Sequence, residues 1–207
     1  KLKKLKHKFL AVLSIKEFFK SKFVNDSILT IVAHVFVGVS GLIINSLVGI
    51  KYSASGLGVF SQGLSIYLLL SLFANFGIQI SSQKHASQFS ESEFKLKSIF
   101  VSAVVATAII STIITTLFYA ILIRYPSFFR SNEIIEFIQL ICIAVPLFAI
   151  NKTMNSFMIG LRKMKVYAGI RSARWLLIVI GIIIIIIFNY PFITIPYLFF
   201  ITESGLF

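Results

Sequence analysis

Negative charge is scarce in this 207-residue chain. Seven Asp and Glu stand against twenty Lys and Arg, and charged residues make up 13% of the whole, about half the share of a soluble domain. A chain so poor in charge, 57% hydrophobic and with a mean hydropathy of +0.94, lacks the polar surface of a soluble globular protein, so an integral membrane protein is expected. Cysteine is nearly absent: Cys142 stands alone in an apolar segment, which excludes a disulfide framework and a cysteine metal site and leaves a packing residue. No cleavable leader is expected, because the basic amino terminus runs into a mixed amphipathic stretch rather than a short apolar core with a small-residue cleavage site. The net charge of +13 would point to nucleic acid in a soluble protein, but in a membrane protein it sets orientation, and no nucleic-acid partner is expected. The chain starts at Lys1 and stops inside the apolar run ITESGLF, from which a fragment with a missing partner half is expected.

What is present is a series of apolar runs of bilayer length. Residues 1–26 carry eight lysines interleaved with Leu and Phe, and His7 belongs to the same basic run; this suits an interfacial amphipathic helix meeting anionic headgroups. The remainder, 27–207, reads as one all-α polytopic bundle with six spans at about 27–50, 58–80, 98–123, 134–159, 168–188 and 192–207, the last cut short. A glycine-bearing turn, KYSASGLG, separates the first two spans, and Ser81 to Lys97 reads as a solvated connector. Pro146, near the middle of the fourth span, is expected to kink it. Counted by segment, sixteen of the twenty Lys and Arg fall on one side, three on the other, and Lys152 lies within a span. The asymmetry predicts a cytoplasmic amino terminus in the plasma membrane.

Two of these spans carry polar residues on one stripe. His34, Gly38, Gly41, Asn45 and Gly49 recur at spacings of three and four, within an arc of about 80°. On the second span Gly58, Ser61, Gln62, Ser65, Asn75 and Gln79 occupy an arc of about 140°. Such faces either line a wet lumen or act as polar glue and glycine notches between packed helices. His34, ionisable within the membrane, is either a proton-coupling group or a neutral hydrogen-bonded contact. Asn155 and Lys152 follow the Pro146 kink; Lys152 is a candidate anion ligand or a snorkelling lysine. Arg171 and Arg174 share one helix face, and paired guanidinia suit phosphate oxygens.

The segment VFVGVSGLIINSLVGIKYSASGLGVFSQGLSIYLLLSLFANFGIQISSQKHA resembles the opening of Wzx-type polysaccharide (O-antigen) flippases, members of the multidrug/oligosaccharidyl-lipid/polysaccharide exporter superfamily. The matching positions are Gly56, Gly58, Phe60, Ser61, Leu64, Ser65, Asn75, Phe76, Gly77, Ile78 and Lys84. The basic turn LRKMKVYAGIR also looks like that family's second cytoplasmic loop. The resemblance covers about residues 27–190 and implies the amino-terminal lobe of a MATE-like transporter. It implies a flippase, not an enzyme, that moves undecaprenyl-diphosphate-linked oligosaccharide repeat units across the inner membrane, without a cofactor or metal. Its partners would be the lipid-linked substrate, membrane lipids, a polysaccharide polymerase and the chain-length machinery. On this reading Asn45, Gln62, Asn75, Gln79 and Asn155 bind sugar hydroxyls, Lys152, Arg171 and Arg174 bind the diphosphate, and His34 couples transport to protons.

Other classes fit less well. A cavity for small cationic drugs should offer an acid, and Asp26, Glu91, Glu93, Glu133, Glu136 and Glu203 all read as lying at ends, in loops or at the terminus. A membrane-embedded transferase needs a catalytic constellation, and His34 has no carboxylate or cysteine partner at helical spacing. A non-transporting fragment remains the third reading.

Overall fold

A computed structural model describes residues 22–129 and 131–206. Most of the basic segment expected at 1–26, including His7, therefore lies outside the described residues, as do Arg130 of the orientation count and Phe207. The described chain is helical, with no strand among the described residues. The helices are α1 (Lys22–Asn75), α2 (Ile78–Gln88), α3 (Glu93–Arg124), α4 (Asn132–Cys142), α5 (Val145–Gly160), α6 (Met164–Ile187) and α7 (Ile195–Gly205), with single 3-10 turns at Pro126–Phe128 and Phe192–Thr194.

Three helices are long and apolar enough to cross a membrane, α1, α3 and α6, and the pair α4–α5, bent by 47°, makes a fourth if it is one span. Their outward surfaces are hydrocarbon. On α3, Val101, Val105, Ile109, Ile113, Leu117 and Ile121 are exposed at intervals of four, while Thr107, Ser111 and Thr115 are buried on another face. Apolar outside and hydroxyl inside is the reverse of a soluble amphipathic helix, and it belongs to a helix whose solvent is lipid. This is a membrane protein.

At 1.5 Å per residue the 54 residues of α1 would run about 80 Å as one rod, far beyond a hydrocarbon core of about 30 Å. The helix is broken at Ser53, whose φ of 66° and ψ of 179° are non-helical. Its arms, 22–52 and 54–75, bend toward one another: Leu57 Cδ2 comes within 3.5 Å of the position a Gly49 Cβ would take, whereas eight residues of straight helix span about 12 Å. The expected glycine turn is thus narrower than KYSASGLG and pivots on a serine. Gly56 lies inside the second arm and serves close approach, since a Cβ there would sit 2.6 Å from Tyr52 Cβ and 3.9 Å from Phe192.

The second arm stops at Phe76 and Gly77, both left-handed, with φ of 43° and 77°. The stretch expected to be a solvated connector then forms α2, whose Ser82 and Ala86 are buried. It packs on α5 so closely that a Cβ on Gly160 would strike the Gln83 carbonyl and lie 2.8 Å from Ala86 Cβ. The break expected in the fourth span falls just before Pro146. Ile143 and Ala144 donate back to Leu140 and Ile141, three residues earlier, and Pro146 occupies the first turn of α5, where its missing N–H leaves nothing unsatisfied. Arg162 and Asn189, each with φ of 55°, close α5 and α6: Lys163 N donates to Met158 O and Arg162 N to Ile159 O, as Tyr190 N does to Ile185 O and Asn189 N to Ile186 O, the paired bonds of a Schellman cap.

These connections gather at two ends of the bundle. At one, Tyr52 Oη donates to the Tyr190 carbonyl at 2.9 Å, Lys51 Nζ donates to Asn189 Oδ1, and Glu133 and Glu136 line a groove with Ser53 and Pro191. At the other, Gln83 and Lys84 of α2 line a groove with Gly160, Arg162 and Met164. Between the ends lies the core. Phe60 meets Phe137 edge-on at 6.3 Å, Tyr67 stacks on Phe148 at 4.9 Å and meets Phe199 at 5.5 Å, and Val48, Ile138, Ile178 and Ile182 fill the gaps.

Candidate functional site

Near the Gln83–Gly160 end the core gives way to polar groups. Helical spacing puts Tyr167, Arg171 and Arg174 on one face of α6, and Asn151, Lys152 and Asn155 on a neighbouring arc of α5. Both faces turn to a cleft of about 400 Å³, which Gln79 and Gln83 of α2 and Trp175 of α6 also line. Lys152, Arg171 and Arg174 are its charged lining residues. Arg171 Nη1 donates to Tyr167 Oη and its guanidinium lies 5.8 Å from that ring's centroid, so the tyrosine steers the cation. Among the described residues no acidic side chain pairs with Lys152 or Arg171. Lys152 is close enough to Arg174 for their like charges to interact.

Behind the cleft wall lies a carboxylate. Glu203, on α7, is fully buried, and its Oε1 is 2.7 Å from Arg174 Nε. Tyr67 Oη donates to Oε1 at 3.2 Å. The Asn151 amide donates to Oε2 and to the Glu203 main-chain oxygen, both at 2.9 Å. Arg174 also lies over Phe148, its Cζ 3.9 Å from the ring centroid, within cation–π range. A buried ion pair persists only when further hydrogen bonds serve its lone pairs, and removing one member strands the other at about 3–5 kcal/mol. Here four helices, α1, α5, α6 and α7, converge on one carboxylate. Glu203, expected at the terminus, is therefore an interior acid. The interior acid is not open to a ligand cation, however, because Arg174 already occupies it.

A second polar chain lies beside the first. Thr153 Oγ1 donates to Asn75 Oδ1 at 3.1 Å, so Thr107 Oγ1, 3.0 Å from Thr153 Oγ1, is the donor in that pair. Asn75 Nδ2 donates to the Ser71 carbonyl at 2.8 Å. These bonds tie α1, α5 and α3 together, and Asn75 is fully enclosed.

Of the residues singled out by sequence, the cleft brings together Gln79, Asn155, Lys152, Arg171 and Arg174. It does not include Asn75, which belongs to the interhelical tie, nor Asn45, Gln62 and His34, which are exposed on α1. His34 Nδ1 lies 2.7 Å from the Thr30 carbonyl, so that nitrogen carries the donated proton. Of the glycine notches expected on the same stripe, Gly38 and Gly41 are open, since a Cβ on either would meet nothing within 4 Å, while one on Gly49 would lie 3.5 Å from Leu57 Cδ2. Glu203, Tyr67, Tyr167 and Gln83 were not singled out for the site. Glu203 had a legible signal, an acid inside the apolar run PYLFFITESG, which in a membrane segment marks a partnered or functional group; the others had none. Among the described residues no group of His, Cys, Asp and Glu is placed to hold a metal ion. No protein-family model matches this chain, and no curated protein and no solved structure matches it.

Proposed function

We propose that this chain is part of a flippase that moves an undecaprenyl-diphosphate-linked oligosaccharide repeat unit across the cytoplasmic membrane for O-antigen or another surface polysaccharide. One observation carries the reading: cations on two helices, Lys152, Arg171 and Arg174, share a single cleft with the amides Gln79, Gln83 and Asn155. Cations with N–H donors suit phosphate oxygens, and neutral amides replace water around sugar hydroxyls. An apolar exterior lets the lipid tail stay in the bilayer while its head occupies such a cleft.

The finer architecture follows the same reading. The two arms of α1, then α3, the bent pair α4–α5, α6 and α7 count as six passes of one MATE-like lobe, rocking by alternating access. The gathering of alternate connections at opposite ends supports that alternation. Lys84, Arg162, Lys163 and Lys165 belong to the connections of one end, whereas Lys51 and Arg124 belong to the other, so positive-inside bias supports a cytoplasmic cleft end and amino terminus. A drug exporter gains no support from Glu203, whose charge Arg174 neutralises.

The test is the double variant Lys152→Gln/Arg171→Gln expressed in cells. Surface polysaccharide should fall at least about tenfold, the scale of one lost charge-assisted contact to phosphate, while membrane protein levels hold. Normal polysaccharide at normal protein level removes the cleft from the transport path.

A further inference from the structure

Resting on the diphosphate reading of the cleft, we infer that Glu203 sets the charge of the ligand this cleft accepts, by cancelling Arg174 and leaving Lys152 and Arg171 as two uncompensated cations. Arg174 lines the cleft but spends its charge behind it. Its Nε is 2.7 Å from a carboxylate that is wholly shielded from solvent, and Tyr67 and Asn151 hold that carboxylate in place from two other helices. Lys152 and Arg171 have no acidic partner among the described residues. Three positive charges and one negative charge leave a net of two. That matches a diphosphate linked at both ends, which carries one ionised oxygen on each phosphorus, and exceeds the single charge of a phosphodiester headgroup of the surrounding lipid. Glu203 is therefore a specificity-determining residue that touches no ligand. Without it the cleft would hold three free cations and would grip a dianion too tightly to release it.

Charge arithmetic makes the inference testable with purified full chain in detergent, using geranyl-diphosphoryl-glucose as a dianionic diester and geranyl methyl phosphate as a monoanionic one. Glu203→Gln keeps hydrogen-bonding groups for Asn151 and Tyr67 but frees Arg174, and diester affinity should rise about tenfold, as one added charge at several ångströms provides. Arg174→Met exposes the cleft to the Glu203 charge, and affinity should fall by a similar factor. The double variant Arg174→Met/Glu203→Gln restores the count of two and should bind as wild type does, with preference for the dianion over the monoanion intact. That variant carries no stranded buried charge, so it decides the matter even where a single variant fails to fold. Weak binding by the folded double variant would show Arg174 to be a direct ligand and overturn the inference, as would unchanged affinity in folded Glu203→Gln. Wild-type protein that binds neither ester, or both alike, overturns the diphosphate reading itself.

Discussion

Single residues in this protein earn their place by whom they meet. Asn75 and Asn155 are the same amide in similar apolar helices, yet Asn155 lines the cleft while Asn75 is sealed between Ser71 and Thr153. Interhelical hydrogen bonds in membranes contribute about 0.6 kcal/mol on average and rarely above about 1.7. Asn75→Leu should therefore lower stability by about 1 kcal/mol, seen as an earlier thermal unfolding of purified protein, and leave diester binding unchanged. Lost binding with unchanged unfolding would instead put Asn75 in contact with ligand. His34 is a similar case. Its ring nitrogen is spent on its own helix at Thr30, and its side chain is exposed, so any proton role would lie outside the cleft.

At the scale of elements, the bend in α1 decides whether the first 54 described residues can fit a bilayer. Ser53, with φ of 66° and ψ of 179°, stands in a region that only glycine enters without strain, at about 1–3 kcal/mol for other residues. Ser53→Gly should relieve that strain, less about 0.5–1 kcal/mol for the freer unfolded chain, for a net gain near 1 kcal/mol and a higher unfolding midpoint. Ser53→Pro, with φ locked near −65°, should prevent the bend and lower the yield of folded protein. An unfolding midpoint that Ser53→Gly leaves unmoved or lowers would mean that the serine side chain holds the turn. The same scale explains why α2 forms where polar composition reads as a connector. Gly160 removes the side chain that would stand between α5 and Gln83, and the close approach orders the segment from outside.

For the whole molecule, the two clusters of connections make a claim about sidedness. In a Cys142→Ala background, Tyr125→Cys should react with a membrane-impermeant maleimide added outside intact cells, whereas Lys84→Cys and Lys163→Cys should react only after the membrane is opened. Labelling of Lys163→Cys from outside would reverse the orientation and put the cationic cleft on the face away from a cytoplasmic substrate. The count of Lys and Arg makes the same sidedness an expectation from sequence, because charge bias acts on each connection separately.

Membrane class, helical content and the approximate places where the chain turns are properties of the sequence by itself. Each follows from a local sum: about twenty apolar residues must cross a bilayer, and no backbone group can stay unpaired there. Helical periodicity likewise placed Arg171 and Arg174 on a shared face. Which neighbour a face meets is not a local quantity. Tyr67 and Glu203 are 136 residues apart and Asn151 and Glu203 are 52 apart, and only the packing of α7 against α5 and α6 brings a carboxylate near the end of the chain to Arg174. The polar stripes of α1 show the converse, since regular spacing gave each arm one polar face while the fold left His34 and Asn45 of the first arm and Gln62 of the second on the outside. In a medium where apolar contact favours no particular neighbour, steric fit and the pairing of buried polar groups select the partners, and both exist only once the helices are assembled.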